Sequence, residues 1–135
     1  MRLVLDTNII VSGLIVVPSL PAAILDLWLE KRHVLITSEQ QIAEIREVTR
    51  RPHIKPRLST SLAGKFVNRM RKSAIFLENF VELDVSSDPF DNYLLALALN
   101  GQADFLVSGD KADLLSLQRF GTARIVTARQ FLEGL

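Results

Sequence analysis

The chain contains no cysteine, only two histidines, and one tryptophan and one tyrosine among its 135 residues. The absence of cysteine excludes disulfide bonds and thiolate metal sites, which fits a reducing compartment. His33 and His53 are not spaced as zinc ligands. No apolar run approaches the ~20 residues of a transmembrane helix. We therefore expect neither a membrane span nor a membrane partner.

The N-terminus imitates a secretion signal, because Arg2 precedes the apolar run Ile9–Val17 and the small residues of "LPAA" follow it. However, Asp6 and Asn8 interrupt the approach to that run, and cleavage after it would discard the first strand. We therefore expect a cytoplasmic protein.

The composition is that of a folded globule, with 48% hydrophobic and 23% charged residues. We expect a single domain over residues 1–135 that buries roughly two-thirds of its unfolded surface. The net charge is only +1, but residues 31–72 carry eleven basic and three acidic side chains. Such segregation indicates either a polyanion-binding surface beside a cation site or an ordinary solvated surface.

Short apolar segments typical of strands alternate with helical patterns, which predicts an α/β fold with a mostly parallel sheet and helices on both faces. In such a sheet the carboxyl ends of the strands share one edge, where ligands usually bind. The predicted strands are Leu3–Leu5, Val34–Ile36, Phe80–Leu83, Phe105–Val107 and Arg124–Val126.

The helices are bounded by capping and stop signals. Ser38 with Gln41 and Thr127 with Gln130 have the spacing of capping boxes. The predicted helices are Ala22–Lys31, Glu39–Arg50, one from Ser59 or Thr60 to about Glu78, one from Pro89 to Asn100, Lys111–Phe120 and one after Thr127.

Carboxylates recur where strands give way to helices. Asp6 ends the first strand, Asp110 follows Phe105–Val107, and Asp88 and Asp91 begin a helix. On a wheel of ~100° per residue, Glu44 borders the buried stripe of its helix, whereas Glu47 lies toward solvent.

Each acid also has a structural interpretation. Asp88 and Asp110 can cap helices, Asp91 suits the first turn of a helix, and Glu44 can pair with a basic neighbour on the surface. Asp6 has no cationic neighbour in sequence, so it fits a structural role least well. Several carboxylates at one edge repel each other, and a hard divalent cation such as Mg²⁺ or Mn²⁺ relieves that repulsion.

The motif "DTNI" after the first strand, an acid in the second long helix, "DPFDN" opening an apolar helix and "SGD" after a strand occur in this order. Together they resemble the PIN-domain nucleases, in particular the VapC-like toxins of prokaryotic toxin–antitoxin pairs. The resemblance implies a Rossmann-like three-layer α/β/α sandwich of about five strands. It also implies an Mg²⁺- or Mn²⁺-dependent endoribonuclease acting on RNA, a homodimer, and a small antitoxin as partner.

The resemblance also assigns roles to individual residues. One departure is Ser87, where related sequences often carry arginine. The implied acidic metal-binding and catalytic quartet is Asp6, Glu44, Asp91 and Asp110, with Asp113 as an accessory ligand, Asn8 and Ser108 as supporting polar groups, and Asp88 as a cap or outer acid.

Basic residues just beyond the Glu44 helix are the predicted phosphate contacts for RNA. A second basic face, formed by Lys65, Arg69 and Lys72, is either another RNA surface or an ordinary solvated helix face. The predicted RNA-binding residues are Arg50, Arg51, Lys55 and Arg57.

Two other functions compete with the nuclease. The chain can be a catalytically silent PIN-like module that binds RNA or protein. It can also be a phosphatase of the haloacid-dehalogenase type, since "GDKAD" approximates a motif of that class. The phosphatase motif needs a second aspartate two residues after Asp6, and that position is Asn8.

Overall fold

The computed structural model describes residues 1–78, 83–85, 88–109 and 112–134, without the side chains of Phe90, Ala112 and Asp113. In this part of the chain the six strands form one sheet in the order β3-β2-β1-β4-β6-β5. The strands are β1 Arg2–Leu5, β2 Val34–Thr37, β3 Ile75–Phe76, β4 Phe105–Ser108, β5 Arg119–Phe120 and β6 Ala123–Thr127.

Helices cover both faces of the sheet, as the sequence predicts. The helices are α1 Thr7–Ile15, α2 Leu20–Leu29, α3 Glu39–Thr49, α4 Thr60–Ser73, α5 Pro89–Asn100, α6 Ala112–Leu117 and α7 Ala128–Glu133.

Strand β1 lies at the centre of the sheet and is buried on both faces. Leu3 and Leu5 pack into the core formed with α1, α2, α3, α4 and α7, whereas Val4 packs into the core formed with α5 and α6. None of these three side chains is exposed. This continuous burial explains why the strand consists of consecutive apolar residues rather than alternating ones.

All neighbouring strands pair in parallel except β5 and β6, which are antiparallel. The register pairs Leu5 of β1 with Val107 of β4. The carboxyl ends of these strands therefore lie side by side, as the candidate site requires. The three-layer α/β fold is confirmed.

Two predicted helices are too long. The helix expected to reach Glu78 ends at Ser73, and Ile75 pairs with Ile36 of β2 instead. Similarly, α6 ends at Leu117, and Gln118, with φ of 60°, turns the chain into β5. A two-residue strand carries too little pattern to be recognised from sequence. Strand β3 gains its stability from the distant strand β2, whereas β5 forms a hairpin with β6 through a turn at Gly121.

The predicted strand Phe80–Leu83 lies largely outside the described residues, and Leu83 itself is not in a strand. Helix α2 begins at Leu20, slightly earlier than predicted, because the Ser19 side chain accepts a hydrogen bond from the Ala22 backbone. In the described residues no single helix is long and apolar enough to cross a membrane, although α1 and α2, bent by 98°, pass that test together.

Candidate active site

Asp6 lies at the carboxyl end of β1 and is only 1% exposed. Its Oδ1 accepts a hydrogen bond from the Asn8 backbone N–H at 3.1 Å, which makes Asp6 the N-cap of α1. The Ser108 hydroxyl, at the end of β4, donates to its Oδ2 at 3.3 Å. The helix N-terminus and these hydrogen bonds offset part of the cost of burying the carboxylate.

Gln41, on α3, is completely buried and forms hydrogen bonds with the last residues of β1 and β2. Its side-chain Nε2 donates to the Leu5 carbonyl at 2.7 Å, and its Oε1 accepts from the Thr37 hydroxyl at 2.6 Å. The predicted capping box with Ser38 is therefore wrong, because the Ser38 side chain makes no capping bond. The helical wheel contained a signal for this burial, since Gln41 falls between Ile45 and Val48 in the buried stripe.

The Ser38 hydroxyl is instead 2.6 Å from the Tyr93 hydroxyl, inside the core. Burial raises the pKa of Tyr93 to about 12, and the negative charge of Glu44 contributes to the same shift. This contact joins the end of β2 to the first half of α5. Sequence reasoning missed it, because an apolar helix gives no indication of which residue faces a distant serine.

Asp91 lies in the first turn of α5 and is 2% exposed. Glu44, on α3, is half-buried, whereas Glu47 is exposed and pairs with Arg51 at 2.8 Å. The wheel prediction that Glu44 faces inward more than Glu47 agrees with these positions. Asp6, Asp91 and Glu44 are therefore shielded from solvent to different degrees.

Of the remaining predicted acids, only Asp88 has a described side chain. Asp88 is exposed, and its backbone carbonyl accepts from the Asn92 N–H at 3.2 Å. Asp110, Ser87 and the side chain of Asp113 lie outside the described residues. Among the side chains that are described, no three from His, Cys, Asp and Glu are grouped closely enough to hold a metal ion.

A cavity of about 180 Å³ runs along α1, from Asn8 in its first turn to Val16 at its C-cap. Its other wall includes the side chains of Arg51, His53 and Arg57. Two of the four predicted RNA-binding residues therefore line a groove that the predicted supporting residue Asn8 also lines. The other two, Arg50 and Lys55, are exposed to solvent and do not line this cavity.

A family model described as a PIN domain matches residues 2–112. The chain belongs to the PIN-domain family. PIN domains are generally metal-dependent nucleases, which hydrolyse phosphodiester bonds. The matched region includes Asp6, Glu44, Asp91 and Asp110.

The chain is also similar to the uncharacterized protein MJ1680 of Methanocaldococcus jannaschii. The two are 29% identical over 118 residues, which cover 87% of this chain and 75% of the relative. No solved structure matches the chain.

The chemistry of the predicted ligands suits a hard divalent cation. Asp6 and Asp91 would offer carboxylate oxygens, and Ser108 and Asn8 would offer a hydroxyl and an amide oxygen. A carboxylate has about four acceptor positions, so it can accept hydrogen bonds and bind a metal ion at the same time. Oxygen donors without sulfur or a paired imidazole favour Mg²⁺ or Mn²⁺ over zinc.

We predict that Gln41→Leu lowers the free energy of unfolding by about 2 kcal/mol, because the Leu5 carbonyl and the Thr37 hydroxyl lose a buried partner. Chemical denaturation measures this change. The matched control is Gln40→Leu at the neighbouring exposed position of α3, for which we expect a change within about 0.5 kcal/mol. Equal effects of the two substitutions would contradict the supporting role of Gln41.

Proposed function

We propose that this PIN domain is an endoribonuclease that depends on Mg²⁺ or Mn²⁺ and hydrolyses RNA at the carboxyl edge of its sheet. The observation that carries the proposal is the buried Asp6 carboxylate, which Ser108 and the Asn8 N–H hold at the junction of β1 and β4. Membership of a nuclease family and a buried carboxylate at the ligand-binding edge of the sheet both favour metal-dependent hydrolysis of phosphodiester bonds.

Asp6, Glu44, Asp91 and Asp110 would hold the metal, with Asp113 as an accessory ligand and Asn8 and Ser108 in support. A bound divalent ion supplies Lewis acidity, which favours ionisation of water and offsets negative charge that develops on the phosphate. Mg²⁺ and Mn²⁺ share this chemistry and the same oxygen ligands.

The residues that bond to Asp6 hold its carboxylate in one orientation. Ser108 Oγ and the Asn8 N–H bind different oxygens of the carboxylate, so they fix its rotation. Because Ser108 and Asp6 are both buried, their geometry does not depend on mobile surface side chains. Such fixed placement lets a carboxylate act without reorganising during the reaction.

The cavity beside Asn8 supports an RNA path toward this edge. Arg51 and Arg57 line it, and Arg50 and Lys55 lie on the same exposed segment. Arg51 pairs with Glu47, but both side chains are exposed and such ion pairs are weak in water, so phosphate can compete for the guanidinium. We assign these four basic residues to contacts with the RNA backbone.

The family match and Asn8 argue against the phosphatase alternative, because that chemistry needs an aspartate at this position. The catalytically silent PIN-like module is distinguished from the nuclease by experiment. The measurement is cleavage of structured and unstructured RNA with Mg²⁺ or Mn²⁺.

Asp6→Asn should abolish metal-dependent RNA cleavage, because the amide cannot replace a charged metal ligand. Asparagine is as good an N-cap as aspartate, so we expect the fold to persist. The control is Asp26→Asn at an exposed position of α2, which should cleave like the wild type. Metal ions should also raise the melting temperature of the wild type but not of Asp6→Asn, by binding only the folded state.

Equal background cleavage by wild type and Asp6→Asn would refute the nuclease proposal. A silent module would show no cleavage in either protein. The melting-temperature measurement remains informative in that case, because it reports metal binding without turnover.

Reversing the charges of Arg51 and Lys55 to glutamate should weaken RNA binding most at low salt, because phosphate contacts release counterions. The measurement is RNA affinity across a salt titration, without divalent metal. The double reversal Arg119→Glu/Arg129→Glu makes the same net charge change at exposed positions of β5 and α7 and should have a smaller effect. A salt dependence that is the same for both double variants would contradict the assigned RNA contacts.

The resemblance to VapC-like toxins supports a more specific proposal. The protein would be the toxin of a toxin–antitoxin pair, would act as a homodimer and would be inhibited by a small antitoxin. We expect wild-type expression to arrest growth of a bacterial host and Asp6→Asn expression to permit it. Co-expression of the small open reading frame next to the gene should restore growth. Normal growth with an enzyme that cleaves RNA in vitro would separate the nuclease from the toxin role.

A further inference from the structure

A second cavity, of about 560 Å³, lies at the opposite edge of the sheet. Its walls come from the end of α2, the start of β2 and the last turns of α4. It is lined by Trp28, Leu29, Lys31, His33, Val34, Arg69, Lys72 and Ser73. His33 and Val34 lie at the amino end of β2, whereas Asp6 lies at the carboxyl end of β1. The parallel sheet therefore separates this cavity from the acidic site.

Three cations and no described acidic residue line the cavity. Lys31, Arg69 and Lys72 form no ion pair with any described residue. Other basic side chains nearby do have acidic partners, since Arg71 pairs with Glu39. The cavity thus concentrates cations whose mutual repulsion is not relieved by acidic side chains in the described part of the protein.

The dipoles of the neighbouring helices offset only part of the positive charge of these three side chains. The carbonyl ends of α2 and α4 lie beside the cavity and favour cations, but each is equivalent to roughly half a negative charge. Two such ends therefore offset about one of the three positive charges. A net positive charge therefore remains at the cavity, which makes it attractive to an anion.

Lys31 has a φ of 62°, in the left-handed region that non-glycine residues seldom adopt. Its backbone N–H donates to the Trp28 carbonyl at 2.9 Å, which closes the end of α2. The Arg32 N–H also donates to the Leu27 carbonyl at 3.0 Å, so the left-handed conformation of Lys31 belongs to the turn that ends α2. This turn places Lys31 in the lining of the cavity.

The apolar side of the cavity is less suited to nucleobases than to a phosphate. Trp28 is 3% exposed, and its ring packs edge-on against Phe66 with centroids 5.4 Å apart. It therefore offers no open face on which a base can stack. Guanidinium and ammonium groups, by contrast, are the usual ligands of phosphate oxygens.

His33 completes the wall as a polar group that adds little positive charge. Burial, followed by the N-terminal amine and Arg32, lowers its pKa below the ordinary value. Its Nδ1 is buried and has no hydrogen-bond partner among the described residues. A buried nitrogen without a partner is costly, so a ligand that bonds to it would gain affinity.

We propose that the cavity formed by Lys31, His33, Arg69 and Lys72 binds a phosphate group, distinct from any phosphodiester held at the Asp6 edge. The phosphate belongs either to an RNA strand or to a small phosphorylated molecule, which present the same chemistry. Binding requires neither divalent metal nor cleavage, so this proposal can be tested, and can fail, independently of the proposed nuclease activity.

The single tryptophan of the chain reports on this cavity directly, since Trp28 lines it. We expect pyrophosphate to produce a saturable change in Trp28 fluorescence at constant ionic strength without divalent metal. Lys72→Glu should weaken the apparent affinity by about tenfold or more, because it removes a charge-assisted hydrogen bond and adds repulsion. Lys72→Arg should retain most of the affinity.

Lys65→Glu is the matched control. Lys65 is an exposed lysine on the same helix that does not line the cavity, so its reversal should change the affinity by less than about twofold. NMR signals of the His33 ring should shift on pyrophosphate addition to Lys65→Glu but not to Lys72→Glu. An absent fluorescence change, or equal weakening by both reversals, would overturn the proposal.

Competition distinguishes the sources of the phosphate. Displacement of pyrophosphate by a short RNA in the absence of divalent metal supports an RNA strand as the ligand. Displacement by a mononucleotide but not by the RNA supports a small phosphorylated molecule. Tighter binding of an acidic peptide than of either would refute the phosphate assignment.

Discussion

The burial of an ionisable group at the end of the central strand is the constraint on which the rest of the structure depends. Asp6 follows three fully buried residues, and its carboxylate is removed from water together with the end of β1. An isolated buried carboxylate costs several kcal/mol, so the surrounding elements must supply polar contacts. The N-terminus of α1, the Asn8 N–H and the Ser108 hydroxyl do so. The parallel pairing of Leu5 with Val107 is what brings Ser108 within reach.

At the same edge of the sheet, polar side chains bond to distant groups instead of capping their own helix. Gln41 and Ser38 have the spacing of a helix cap, but they bond instead to the Leu5 carbonyl and to Tyr93. These contacts join β1, β2, α3 and α5 within the core. Because buried polar groups are costly when unpaired, each bond also fixes the positions of the elements that it joins. A site built on such elements is held more rigidly than one built on exposed loops.

The sequence predicts most of what local signals can specify. The continuous apolar run of β1, the stripe of α3 and the capping box at Thr127 and Gln130 all appear in the structure. Strands β3 and β5 were not predicted, because two residues carry too little pattern, and β3 in addition depends on a distant partner, β2. The predicted quartet of acids follows from the order of the motifs and stays a prediction. The cavity at the amino end of β2 joins residues 28–34 with residues 69–73, so no local motif could predict it.

The two edges of the sheet differ in charge, and the length of the strands keeps them apart. A four-residue strand such as β1 spans roughly 13 Å at about 3.3 Å per residue. This exceeds the Debye length of about 8 Å at physiological ionic strength, so exposed cations at the amino edge are largely screened from the opposite edge. Lys31, Arg69 and Lys72 therefore do not neutralise the buried carboxylate of Asp6, and Asp6 does not serve as a counterion for the cavity that they line. The proposed metal ion and the proposed phosphate would accordingly bind without strong electrostatic coupling, so that either can be removed with little effect on the affinity for the other.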